Sequence, residues 1–175
     1  MAEVVTSPLE RCRQTTKLLV APQTAAPRIV SERGITECDY GDWQGRPLKD
    51  LAKEKLWRTV QAQPSAAAFP GGESMTTMQS RAVAAVRGHD ARIAAEHGEN
   101  AVWVAVSHGD IIKSILADAL GMHLDLFQRI MVDTASVSVV HLGEGKPMIL
   151  KMNDTGDLAS LRPRPRPTTR KGAKR

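Results

Sequence analysis

Residues Ala101 to Asp110, read AVWVAVSHGD, constrain the fold more than any other stretch of the chain. Ala101 to Val106 is apolar and β-branched with one Trp, the composition of a buried strand. Beyond it Ile111, Ile112, Ile115, Leu116, Ala119 and Leu120 recur at helical spacing, and Gly121 stands at a C′ position. Ser107-His108-Gly109 therefore lies on a strand-to-helix turn. In open α/β sheets ligands bind beyond the carboxyl ends of the strands, and a helix N-terminus offers free N–H groups and partial positive charge. A His there, His108, can meet a phosphate. A His that merely caps the turn is the other reading of this stretch.

A chain of 175 residues suits one domain with a substantial core. Aromatic residues make up only 3%, so the core is expected to be aliphatic. No apolar run approaches the roughly 18 residues of a membrane span, and no signal peptide is expected ahead of the first strand. Cys12 and Cys38 form no CxxC pair and join the five histidines in no ligand pattern. They read as reduced thiols of a cytoplasmic protein, with no metal and no cofactor. The net charge of +5 comes from one end: residues 162–175 hold seven of the 24 Lys and Arg and no acid, leaving the rest with 17 bases against 19 acids. Such a tail can touch nucleic acid or anionic lipid. No aromatic residue is interleaved with its charges, so base stacking is unsupported. Residues 161–175 are read as a disordered basic tail after a domain of 1–160.

In chain order, Glu3 to Thr6 reads as a strand. Ser7-Pro8-Leu9-Glu10 reads as a capping box with Ser7 as N-cap, opening a helix to about Val20. Arg11 falls in its first turns, where a cation opposes the helix dipole. An anion to bind explains it there, since a guanidinium fork matches phosphate oxygens; a solvated Arg beside Arg13 and Lys17 is the plainer alternative. Arg28 to Val30 reads as a second strand, and Gly34 to Trp43 as loop. Glu37 sits in that loop among Ile35, Cys38, Tyr40 and Trp43. A carboxyl beside apolar groups can be a proton donor, or Glu37 is an ordinary exposed acid. A short helix is expected from Pro47 to about Val60, and a long one from Glu73 or Ser74 to about His97. Met75, Met78, Ala82, Val83, Val86 and Ile93 form the core face of the long helix. Another short helix is expected around Leu124 to Ile130. Ser136 to Leu142 and Pro147 to Met152 read as a β-hairpin. The order implies an α/β three-layer sandwich, mostly parallel, with helices on both faces and the C-terminal β-hairpin at one edge.

Several separated pieces then converge. Thr6 to Thr15 (TSPLERCRQT) resembles the SPLxRxxQTA segment of the histidine phosphatase (phosphoglycerate mutase-like) superfamily. Thr36 to Gly45 resembles its E…GxWEG segment, Phe69 to Ser74 its PGGES lead-in to a long helix, and Val106 to Gly109 its second histidine motif. Asn153-Asp154-Thr155 resembles a common ending. The resemblance covers nearly all of 1–160, in the family's order. It implies a His nucleophile that forms phosphohistidine, a carboxylic acid that protonates the leaving alkoxide, and arginines with a second His that hold the oxygens. Carried over, Arg11, His108 and Gly109 bind phosphate, Glu37 donates the proton, and His108 neutralises phosphoryl oxygens. The partner implied is a small phosphorylated metabolite, with no metal required.

The family's defining Arg-His-Gly, which contains the nucleophile, belongs ahead of the SPLxR segment, where this chain has only Met1 to Val5. The chain is therefore expected to be an N-terminally truncated member lacking the first strand of the family fold. A late start codon, a shortened gene and a true short isoform all fit. The expected function is a phosphatase of small phosphate monoesters, inactive in this truncated form. The alternatives are a phosphoglycerate mutase-type phosphomutase or a non-catalytic phosphate-binding protein. The compact span of 71 positions from Glu37 to His108 favours the phosphatase. The resemblance places the absent strand between the Ser-His-Gly strand and the hairpin. A marginally stable chain is expected, aggregating or forming a homodimer through the edge so left.

Overall fold

The computed structural model describes residues 1–143 and 145–156; the expected basic tail, 161–175, lies outside the described residues. At the centre of the fold is strand β1 (Glu3–Thr6), all four of whose residues are buried. It pairs in parallel with β2 (Arg28–Ser31) on one side and β3 (Val104–Val106) on the other, giving the order β2-β1-β3. In register, Thr6 lies opposite both Ser31 and Val106. A central parallel strand is covered on both faces, which is why Val4 and Val5 are continuous apolar sequence. β3 is shorter than the expected Ala101–Val106 because its ladder runs only alongside the four residues of β1. Among the described residues no strand lies on its other side.

Helix α1 (Glu10–Val20) packs back on β1 and β3, burying Cys12 and Thr16. The helix expected from Pro47 to Val60 is instead two, α2 (Leu48–Leu51) and α3 (Lys55–Ala62). Tight i to i+3 bonds from Lys53 and Glu54 N–H to Asp50 and Leu51 carbonyls end the first, and the Glu54 carboxylate turns back to Arg46 at 2.7 Å. Helix α4 (Met75–His97) opens with Ser74 as N-cap, its side chain accepting the Thr77 N–H at 3.0 Å. Of the expected core residues, Met75, Met78, Ala82, Val86 and Ile93 are buried, whereas Val83 is only half-buried. Helix α5 (Gly109–Ala119) buries Ile111 and Leu116, whereas Leu120 is exposed; Gly121 at φ +63° ends it. A 3₁₀ turn spans Leu124–Arg129.

The hairpin forms as β4 (Val137–His141) and β5 (Met148–Asp154). It is not hydrogen-bonded to the edge of the main sheet, being a separate two-stranded sheet. Val140, Leu142 and Ile149 seat it on the core, and β5 packs against α5. The core is also less purely aliphatic than composition implies. Tyr40, Trp43, Trp57 and Phe69 gather into one group, with ring centroids 5.1 Å (Tyr40–Phe69), 5.3 Å (Trp43–Phe69) and 6.2 Å (Trp43–Trp57) apart. The few aromatic residues are concentrated beneath the loop that carries Glu37.

That loop is locked to the turn before α4 by backbone contact. Asp42 N–H donates to Pro70 O at 2.8 Å, and Glu73 N–H to Asp39 O at 2.9 Å. Gly72 permits this approach: a Cβ there would lie 2.2 Å from Asp39 O. Gly72→Ala should therefore cost at least about 2 kcal/mol, since backbone on both sides must shift. In contrast Gly88, exposed in α4, has open space around a built Cβ. Gly88→Ala should stabilise by about 0.5–1 kcal/mol. Urea unfolding of the two variants checks both signs.

Candidate active site

The carboxyl ends of β1 and β3 place two side chains together. Ser7 N–H continues the ladder by donating to Val106 O at 2.9 Å, which sets Ser7 beside the Ser107–His108 turn. Ser7 is fully buried, and the His108 side chain is 2% exposed. His108 occupies the N-cap position of α5 but makes no side-chain capping bond. Its ring turns into the site: Nε2 lies 2.7 Å from Ser7 Oγ, and Nδ1 accepts from Arg11 Nε at 3.1 Å. A guanidinium nitrogen can only donate, so Nδ1 carries no proton. The neutral ring then holds its proton on Nε2, facing Ser7 Oγ. Burial, with the Arg11 and Arg81 charges adding, pushes His108 down to about 4. It is therefore neutral at neutral pH, and a bound anion would draw it back toward the charged form.

Ser7 does not cap α1. The N-cap is Leu9, with no side-chain capping bond, and Ser7 Oγ is only 3.4 Å from Leu9 N. The hydroxyl is held by His108 instead, and Glu10 pairs with Arg13 and Gln14 on the surface. The capping-box reading of Ser7 to Glu10 fails because a tertiary partner outcompetes the local one.

Arg11, Glu37 and His108, far apart in sequence, meet here. Glu37 Oε2 is 3.8 Å from Arg11 Nη2 and 3.9 Å from His108 Nδ1, and Oε1 accepts the Cys38 N–H at 3.1 Å. The Arg11 side chain is 62% exposed, which leaves one face of its guanidinium open to solvent. Burial raises the Glu37 carboxyl above its ordinary range and Asp110 adds to this, against the Cys38 N–H, Arg11 and Arg81. Ser107 Oγ donates to Ile35 O at 2.8 Å, tying the β3 end to the Glu37 loop. Gly109 is the first residue of α5, whose positive end points into this space.

Sequence reasoning missed Ser7, Cys12, Tyr40 and Asp110. Cys12 Sγ is 3.5 Å from His108 Nε2, and burial raises its thiol, which keeps it neutral. Tyr40 Oη donates to Asp110 Oδ2 at 2.8 Å. Helical spacing marks Cys12 as inward-facing on α1; nothing local marks Tyr40 as reaching 70 residues ahead. Among the described residues, no group of three or more His, Cys, Asp or Glu is placed to hold a metal ion. The other histidines have their contacts elsewhere: His89 with Glu32, His97 with Glu96, His123 with Asp125, and His141 beneath Gly143.

The parallel sheet thus brings an arginine, a carboxyl of raised pKa and a neutral imidazole together at a helix N-terminus, an arrangement with the chemistry to hold an anion. Residues 1–155 match the family model of the histidine phosphatase superfamily (branch 1), and the chain belongs to that family. It is 30% identical over 161 residues to Phosphoserine phosphatase 1 of Hydrogenobacter thermophilus, covering 90% of this chain and 72% of that one. It is 31% identical over 161 residues to Bifunctional protein Rv2228c of Mycobacterium tuberculosis, of which it spans 42%. Its fold matches YhfR of Bacillus stearothermophilus (TM-score 0.76, 21% identity, 88% of this chain and 74% of that one). It also matches the alpha-ribazole phosphatase of Shigella flexneri (TM-score 0.71, 20% identity, 88% and 74%).

The depressed His108 pKa has a stability consequence. An unfolded His takes a proton near 6.5, whereas the folded site resists protonation until about 4. Stability from this group is therefore fully present above about 6.5 and is lost as pH falls through that window, up to about 3 kcal/mol. The difference in unfolding free energy between wild type and His108→Gln should shrink by that order between pH 7 and pH 4, measured by urea unfolding at each pH.

Proposed function

We propose that this site belongs to a hydrolase of small phosphate monoesters that works through a phosphohistidine intermediate. The convergence of Arg11, Glu37 and His108 carries the reading. Arg11 and the N-terminus of α5 at Gly109 bind phosphoryl oxygens, and His108 neutralises the charge that builds on them. An imidazole nitrogen attacks phosphorus as the P–O bond to the leaving group breaks. Glu37, protonated beforehand, gives its proton to the departing alkoxide. The Glu37 carboxylate then takes a proton from the water that attacks phosphohistidine, releasing inorganic phosphate. The phosphatase names of the relatives support this class. The substrate is a phosphorylated metabolite, and the buried reduced thiols of Cys12 and Cys38 fit a cytoplasmic setting.

In this reading the attacking imidazole comes from an Arg-His-Gly segment on an additional strand, and His108 is the second histidine. The 175-residue chain should then hydrolyse p-nitrophenyl phosphate at least about 10⁴-fold more slowly than the same chain with an Arg-His-Gly strand fused ahead of Met1. Robust turnover by the unextended chain, abolished by His108→Ala, would make His108 the nucleophile instead.

The acid role of Glu37 has its own test in the active form. Glu37→Gln should slow an alkyl phosphate by about 10²–10⁴-fold, whereas an aryl phosphate, whose leaving group needs little protonation, should lose far less. Equal losses on both substrates remove Glu37 from the acid role.

A further inference from the structure

We propose that Arg81, clamped by Glu73, is a positioning residue that fixes the Glu37 loop and so aims the Glu37 carboxyl at Arg11 and His108. The inference rests on the acid role given to Glu37 above. Arg81 stands in the second turn of α4 and points its guanidinium under the loop, whose only regular pieces are two 3₁₀ turns, at Arg33–Ile35 and Gly41–Trp43, with Thr36 to Tyr40 between them. Nη1 donates to the carbonyls of Gly34 at 2.7 Å and Thr36 at 2.8 Å, and Nη2 to that of Glu37 at 3.2 Å. Nε and Nη2 also engage the two carboxylate oxygens of Glu73, at 2.9 and 2.5 Å. Glu73 Oε1 in turn accepts the Asp39 N–H at 2.9 Å. The backbone is thus gripped at Gly34, Thr36 and Glu37 by one end of an ion pair and at Asp39 by the other.

The geometry explains why arginine stands here. A planar fork spans three carbonyls and a carboxylate at once; an ammonium is a point charge on a flexible stem and cannot. The paired side chains are only 25% and 16% exposed, so their hydrogen bonds are weakly screened. Glu37 follows directly from the clamped carbonyls and makes one hydrogen bond of its own to the adjacent backbone, the Cys38 N–H. All five Arg81 donors are taken by these carbonyls and by Glu73, so it acts through the loop.

The test uses Arg81→Lys, which keeps a cation and removes the fork, and Glu73→Gln, which keeps one arginine contact and removes the charge. The Glu37 carboxyl is followed by carbon-13 NMR titration and the loop by amide hydrogen exchange, both on the full chain. In Arg81→Lys the Glu37 midpoint should fall toward the ordinary carboxylate range as the loop hydrates. The Cys38 and Asp39 amides should exchange at least about tenfold faster, with Ala82 and Val86 in α4 changing less than about twofold. Glu73→Gln should give the same pattern at smaller size, and it decides the matter if Arg81→Lys does not fold. A folded variant that melts earlier, yet leaves the Glu37 midpoint and the loop exchange unchanged, overturns the proposal: Arg81 would then be structural only. Failure of the acid role appears separately, as equal losses on alkyl and aryl phosphates in Glu37→Gln.

Discussion

One backbone hydrogen bond, from Ser7 N–H to Val106 O, sets the relation on which the site depends. It extends the parallel ladder of β1 and β3 one rung past the strands and holds the entrance to α1 against the entrance to α5. Two of the three candidate site residues are placed by that rung. Arg11 is one helical turn beyond Ser7, and His108 is two residues beyond Val106. The third component, Glu37, arrives on a loop that leaves β2, the other neighbour of β1. Burial of β1 on both faces makes the arrangement rigid. A shift of its register by one residue would turn the apolar Val4 and Val5 pattern out of alignment with both partners.

The elements were legible where a single physical signal dominated. Apolar β-branched runs marked β1 and β3, Ser74 marked the start of α4, and Gly121 the end of α5. Arg11, Glu37 and His108 were legible because each follows a strand end, and because the ordered motifs resemble one family. What was not legible depends on partners distant in sequence. Ser7 carries a good local capping pattern, yet a buried imidazole takes its hydroxyl. The Pro47–Val60 helix breaks where i to i+3 bonds close α2 and Glu54 turns extended as the N-cap of α3. The aromatic residues are too few to predict a cluster, but tertiary packing collects four of them under one loop. Arg81 is a polar position on an amphipathic helix, and no local pattern separates it from a solvated arginine.

The electrostatics of the site follow from dryness rather than from density of charge. His108 is driven neutral and Glu37 toward its protonated form chiefly by loss of water, and the Arg11 charge works with the first and against the second. The result is an imidazole and a carboxyl near 4 Å apart that do not form a strong ion pair with each other. Each is left available for charge that a ligand brings.

The contact between Arg11 and Glu37 makes the site its own competitor. The guanidinium that would receive a phosphoryl oxygen already has a carboxyl oxygen at 3.8 Å. Once Glu37 ionises, a bound anion must share that cation with a second negative group and bear its repulsion. Raising the pH thus improves the ligand, by converting a phosphate monoanion to the dianion, while it spoils the receptor. In the proposed reaction, the same carboxyl that serves bond cleavage therefore works against retention of the product.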